Sequence, residues 1–175
     1  GREKVYRFAG ERVAAGERVY VVVPAIDEGE RAIAATRATA DRIRGVLPAT
    51  PVGVLHGRLP AAERIALLGD FALGRVPILV ATTVIEVGVD VPEATLMIVE
   101  NAEVFGLAQL HQLRGRVGRS ARKSWCALIV GKNAVEVWSP QVKQPKYVRF
   151  AWDSLAKHNL VNSGSLPAVS FRTDE

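Results

Sequence analysis

The densest chemistry in this 175-residue chain lies in Gln112-Leu113-Arg114-Gly115-Arg116-Val117-Gly118-Arg119. Arg116 and Arg119 are three residues apart, so their guanidinium groups share a face wherever the turn stays helical. Each guanidinium is a planar fork of donors, and two of them on one face can clamp phosphate oxygens. Gln112 adds a neutral donor and acceptor. A merely solvated basic helix end is the alternative, and the glycines argue against it. Each glycine costs about 1 kcal/mol relative to alanine inside a helix. They suit a turn that needs close backbone approach or unusual dihedrals.

A second segment, Ala81-Thr82-Thr83-Val84-Ile85-Glu86-Val87-Gly88-Val89-Asp90-Val91-Pro92, starts where an apolar run ends. The hydroxyls of Thr82 and Thr83, with free amides at a strand end, can hold a nucleic-acid phosphate. Asp90, two residues after Gly88, can bind a ribose hydroxyl, a water or an arginine. An ordinary strand-to-turn connection is the alternative. A third segment is Leu55-His56-Gly57-Arg58-Leu59-Pro60. A lone histidine is more often a structural hydrogen-bonder than a catalyst, so His56 reads first as structural and second as a nucleic-acid backbone contact. Arg58 reads as a phosphate contact, and Pro24 to Glu28 can line the same edge. Cys126, beside Trp125, reads as packing; so do Trp138 and Trp152, with base stacking as the alternative.

These segments need elements to carry them. RVYVVVP at 18–24 is an apolar, β-branched run of the kind buried on both faces of a sheet. VGVLH at 52–56, PILVAT at 77–82, TLMIVE at 95–100 and WCALIVG at 125–131 read as further strands. Helices are expected at 2–15, ending near Gly16; at 29–47, with Ile33, Arg37, Ala40, Ile43 and Leu47 at helical spacing before Pro48; and at 107–114. Another at 60–73 has Pro60 in its first turn, Ile65, Leu68 and Phe71 as its inner stripe and Gly74 as its C-terminal cap. Strands alternating with helices predict an α/β domain with a mostly parallel sheet. Right-handed crossovers then put functional loops at the carboxyl edge of the strands. After Lys132 the pattern is lost. Residues 133–175 read as a divergent extension, with a short helix at SLAKHNLV and otherwise loop.

Composition sets bounds. Apolar residues make up 49% of the chain, which argues against overall disorder. No run of about 18 apolar residues suggests a membrane span, and the start lacks the apolar core of a signal peptide. One cysteine excludes an internal disulfide or a cysteine-built metal site. Those features fit the cytoplasm. The net charge of +5 favours polyanionic partners. Arg114, Arg116, Arg119, Arg122 and Lys123 concentrate that charge with no acid among them.

QLRGRVGR resembles the sixth motif of superfamily 2 helicases, and ATTVIEVGVDVP the fifth. The fuller stretch HGRLPAAER … ILVATTVIEVGVDVPEATLMIVENAEVFGLAQLHQLRGRVGRS resembles the RecG branch-migration helicases over residues 3 to 132. Transcription-repair coupling translocases share FGLAQLHQLRGRVGR; Arg58, IEVGVDVP and ENAE favour RecG. The resemblance implies a RecA-like, P-loop NTPase-type three-layer lobe at 1–132. It implies ATP with Mg²⁺ as cofactor and branched or duplex DNA, such as forks and Holliday junctions, as partner. Arg116 and Arg119 would then approach the γ-phosphate, with Gln112 organising the site. Thr82 would contact nucleic-acid backbone, and Gly88 and Asp90 would link that contact to the nucleotide. The family also implies a monomer in a bacterial-type cytoplasm, at the nucleoid.

Two departures from the family shape the expectation. No G-x-x-x-x-G-K-[ST] and no DExH-type box occurs, so the phosphate cradle and the Mg²⁺ carboxylates are expected from an upstream P-loop lobe of the same parent protein. No metal ligand is expected here, and the chain alone is expected to be inactive. Residues Asn133 to Glu175 do not match the family's translocation element. A lobe of a transcription-repair coupling translocase and a non-catalytic DNA-binding module are the alternatives.

Overall fold

In the computed structural model, residues 1–24, 29–82, 91–118 and 122–131 are described, with short strands at 133–135, 149–150 and 171–172. Helix α1 (Arg2–Ala14) leads into β1 (Arg18–Val23), α2 (Glu30–Val46), β2 (Val52–Leu55), α3 (Ala61–Leu73) and β3 (Ile78–Thr82). After β3 come β4 (Ala94–Glu100), one 3-10 turn at Ala102–Val104, α4 (Leu107–Arg114), β5 (Trp125–Val130) and β6 (Asn133–Val135). Residues Gly1–Glu136 form one compact unit and Val137–Glu175 a second. In the second, β7 (Arg149–Phe150) and β8 (Phe171–Arg172) pair antiparallel. The helix expected at SLAKHNLV lies outside the described residues.

The strand order is β2-β3-β1-β4-β5-β6. The first five strands pair in parallel, and β6 returns antiparallel along β5. Alternation explains why the strands read as unbroken apolar runs. Val19, Val21, Val23, Ile78, Val80, Leu96 and Ile98 face one core, with Val5, Tyr6 and Ala9 of α1 and Ala40 and Ile43 of α2. Tyr20, Val22, Leu79, Ala81, Met97 and Val99 face the other, with Leu68 and Phe71 of α3 and Leu113 of α4. Helices therefore cover both faces of the sheet, the arrangement expected of parallel strands joined by helical crossovers.

Adjacent strands β1 and β4 send their chains to opposite faces. The chain from β1 enters α2 on the first face, and the chain from β4 enters α4 on the second. Such a switch point opens a crevice at the carboxyl edge of a doubly covered sheet.

Two helix faces differ from the sequence reading. In α3, Leu68 and Phe71 are buried, but Ile65 is 71% exposed. In α2 the sheet-facing residues are Ala32, Thr36, Thr39, Ala40 and Ile43, while Ile33 is only half-buried and Arg37 is exposed. Small residues let α2 lie close to the strands. Thr36 is tolerated there because its hydroxyl donates to the Ala32 carbonyl at 2.7 Å. Periodicity therefore found Ala40, Ile43, Leu68 and Phe71 and missed at Ile33, Arg37 and Ile65. Gly74 caps α3 as expected, with φ +78. No helix among the described residues is long and apolar enough to cross a membrane.

Phe71 is fully buried and its ring lies 4.6 Å from that of Tyr20 in β1. Phe71→Ala is expected to lower unfolding free energy by about 3–5 kcal/mol, read from urea denaturation. A loss under about 1 kcal/mol would mean that α3 does not seal this core.

Candidate nucleotide and nucleic-acid site

The arginine turn is held by two apolar pegs. Leu113 and Val117, four residues apart, are both buried in the core beside Phe105 and Ala102. Helix α4 starts after Gly106, whose amide donates to Gln109 Oε1 at 3.0 Å. At its far end the Gly115 amide donates to the His111 carbonyl at 3.0 Å. The amides of Arg116 and Val117 then donate to the carbonyls of Leu113 and Arg114, at 3.0 and 3.3 Å. Helical bonding thus runs past Arg114 to Val117 and tightens as it ends. That continuity places Gln112 and Arg116 one turn apart on the same side. Gln112 is exposed and Arg116 half-buried. No carboxylate among the described residues pairs with Arg116.

The two glycines of the motif do different things. Gly115 keeps helical dihedrals; an added Cβ would sit 3.4 Å from the Gln112 carbonyl oxygen. Gly118 has φ +80, and its Cβ would fall 2.5 Å from Ser124 Oγ. Here the helix breaks, with Arg116 before the break and Arg119 after it. Arg119 lies outside the described residues. Ser124, one residue before β5, carried no signal in the sequence; it is the neighbour whose hydroxyl a side chain at Gly118 would displace.

The other candidates collect elsewhere. Thr82 ends β3, is buried, and lies beside Val23 at the end of β1. His56 directly follows β2, whose Leu55 pairs with Ala81. His56 Nδ1 is buried and meets no hydrogen-bond partner. Arg58 is exposed and reaches Glu30 Oε1, in the first turn of α2, at 4.0 Å. Arg58 and Glu30, with Ile33, Ala34, Arg37, Ala38 and Asp41, line an open groove of about 600 Å³. Thr83, Gly88 and Asp90 lie outside the described residues, as do Trp138 and Trp152.

His56, Arg58 and Thr82 thus share the carboxyl edge of β2 and β3. Gln112 and Arg116 do not join them there. The chain leaves β4 at the carboxyl edge, runs through α4 and arrives beside Ser124 at the start of β5. The arginine turn accordingly stands at the far end of α4, separate from the edge cluster. The candidate residues thus fall into two groups rather than one.

Cys126 is half-buried in β5 and packs against the core. Burial pushes its thiol up to about 12, against the opposing pull of the Arg114 guanidinium. Its neighbour Trp125 packs edge-on against Phe8 of α1, with ring centroids 5.4 Å apart.

Comparison with known proteins supplies the family context. The profile of the helicase conserved C-terminal domain matches residues 3–121. The chain is similar to the ATP-dependent DNA helicase RecG of Synechocystis sp., at 47% identity over 135 residues, covering 76% of this chain and 16% of that protein. It is similar to RecG of Acidithiobacillus ferridurans at 53% identity, covering 66% and 17%. Among solved structures, RecG bound to a three-way DNA junction matches with a TM-score of 0.61 and 43% identity, covering 74% of this chain and 16% of that one. Domain 2 of a DEAD-box helicase bound to an RNA duplex matches with a TM-score of 0.59 at 18% identity, which shows shared fold alone. The chain spans about a sixth of the length of the RecG relatives it matches.

Gly118→Ala adds a left-handed alanine and a clash with Ser124. It is expected to cost about 1–3 kcal/mol, measured by urea unfolding. Adding Ser124→Gly should recover the clash but not the backbone cost. A neutral Gly118→Ala would show that the turn is not held as described.

Proposed function

This chain belongs to the helicase conserved C-terminal domain family and has its RecA-like α/β fold; on that premise we propose that it is the second motor lobe of an ATP-dependent DNA helicase that remodels branched DNA. The observation carrying this reading is the half-buried Arg116, without a carboxylate partner among the described residues and one turn beyond Gln112, just past the end of α4. The likeness to RecG, including the relative bound to a three-way junction, supports branched DNA as the substrate class.

No group of three or more His, Cys, Asp or Glu among the described residues could hold an ion. Mg²⁺ ligands and the phosphate cradle are assigned to a P-loop lobe of the parent protein. ATP supplies the phosphoryl group that passes to water. Arg116 and Arg119 bind the γ-phosphate oxygens as charge builds on them, and Gln112 orients that end of the site. Guanidinium groups so placed are worth roughly 10³ to 10⁵ in rate in other phosphate-cleaving enzymes. At the other cluster, Thr82, Thr83, His56 and Arg58 grip DNA backbone, and Gly88 and Asp90 connect that grip to the nucleotide. The separation of the two clusters supports a division of labour. Closure of the lobes at the arginine turn moves the carboxyl edge, and with it the strand it holds.

The 175-residue chain alone is expected to show no DNA-stimulated ATPase; robust turnover by the pure chain overturns the half-site reading. Joined to a P-loop lobe, Arg116→Ala and Arg119→Ala should each lower kcat on the order of 10³ while DNA affinity changes little. Equal losses in both would point instead to a plain DNA-binding module, whose signature is salt-sensitive binding without a nucleotide effect.

A further inference from the structure

Glu100, the last residue of β4, is a buried charge that the proposed chemistry does not use. It is 1% exposed. Arg2 Nε donates to its Oε2 at 3.0 Å, and the Tyr6 hydroxyl donates to its Oε1. Both donors belong to the first two turns of α1. Burial, reinforced by the bond to Glu100, raises the Tyr6 phenol above its ordinary range, so it remains a protonated donor. Arg2 has a second partner: Nη2 donates to the Gly131 carbonyl at 2.8 Å. The Gly131 amide in turn donates to Glu103 Oε1 at 3.0 Å. Glu100 and Glu103 are the two acids of the ENAE segment.

The tie therefore joins three places: the start of α1, the end of β4 and the residue after β5. Burial of a carboxylate is costly unless it is paired and hydrogen-bonded. Glu100 is both, so its position is tightly defined. The chain between Glu100 and α4 is short and stiff. Asn101 takes a left-handed conformation at φ +50, Ala102 is buried, and Phe105 is buried before Gly106 opens α4. From there backbone hydrogen bonding continues through α4 and past its end to Arg116. No flexible spacer separates Glu100 from the arginine turn.

At its other end α1 reaches the same turn by a second route. The Arg12 guanidinium lies over the rings of Phe8 and Trp125, at 5.1 and 4.9 Å. Trp125 adjoins Ser124, the residue that crowds Gly118. Helix α1 thus bears on both ends of the segment that carries Gln112 and Arg116.

We propose that Glu100 is a positioning residue for the arginine turn: with Arg2 and Tyr6 it latches α1 to the end of β4 and so fixes where α4 presents Arg116. This rests on the reading of Arg116 as a phosphate-binding group. The latch makes the setting of the arginine depend on the seating of α1, which lies on the opposite face of the sheet.

Loss of a buried carboxylate can unfold a lobe, so the test pairs Glu100→Gln with Arg2→Ala, whose side chain is 25% exposed. In the 175-residue chain, hydrogen exchange is followed by mass spectrometry for peptides covering 101–118, with β1 and β3 as controls. Both variants should speed exchange across 101–118 by about tenfold or more, with β1 and β3 unchanged in Arg2→Ala. Faster exchange confined to α1, or spread evenly over the sheet, overturns the latch. With a P-loop lobe joined, Arg2→Ala should lower kcat about tenfold to a hundredfold and leave KM for ATP near wild type. If Arg2→Ala leaves kcat intact while Arg116→Ala abolishes turnover, the latch alone is wrong. If Arg116→Ala is also silent, the reading of the arginine turn has failed instead.

Discussion

A parallel strand with no water on either face must find every hydrogen-bond partner and every packing neighbour inside the protein. Strand β1 is in that position. It pairs with β3 on one side and β4 on the other, and Val19, Val21 and Val22 are fully buried. Its Val19, Val21 and Val23 build one core and its Tyr20 and Val22 the other. The helices are fixed because those two faces must be covered. The ends of β3 and β4 are fixed because they pair with β1. Both candidate clusters grow from those two strand ends, Thr82 directly and Arg116 through α4.

Much of this was legible in the residues. The strands were marked by apolar β-branched runs, and their bounds match closely because a doubly buried strand has no polar alternation to blur it. Pro60 and Gly74 marked α3, and the glycines of the arginine motif marked a turn. The inner faces of α2 and α3 were less legible. The sheet selects small residues where α2 lies close, so Ala32 and Thr36 are inside, and on α3 Ile65 is outside. The sequence also suggested one functional edge. The structure has two groups, because α4 carries Gln112 and Arg116 away from the edge on which it begins.

ENAE shows a different limit. In the sequence it served only as wording shared with RecG. Nothing in a lone glutamate at a strand end distinguishes a buried anchor from a solvated cap. Its partners, Arg2 and Tyr6, are more than ninety residues earlier. Such a long-range pairing is invisible without the fold. The same holds for Arg12, whose stack on Trp125 joins residues from opposite ends of the compact unit.

The contact between Gly118 and Ser124 has a consequence for sequence variation. A side chain added at 118 would make the Ser124 hydroxyl shift. The left-handed backbone already confines position 118 to glycine or, at a cost, a residue such as asparagine. Position 124 is therefore the one free to drift. Variants at 124 would behave as modifiers of the arginine motif although they lie outside it, and their effects would depend on what occupies 118.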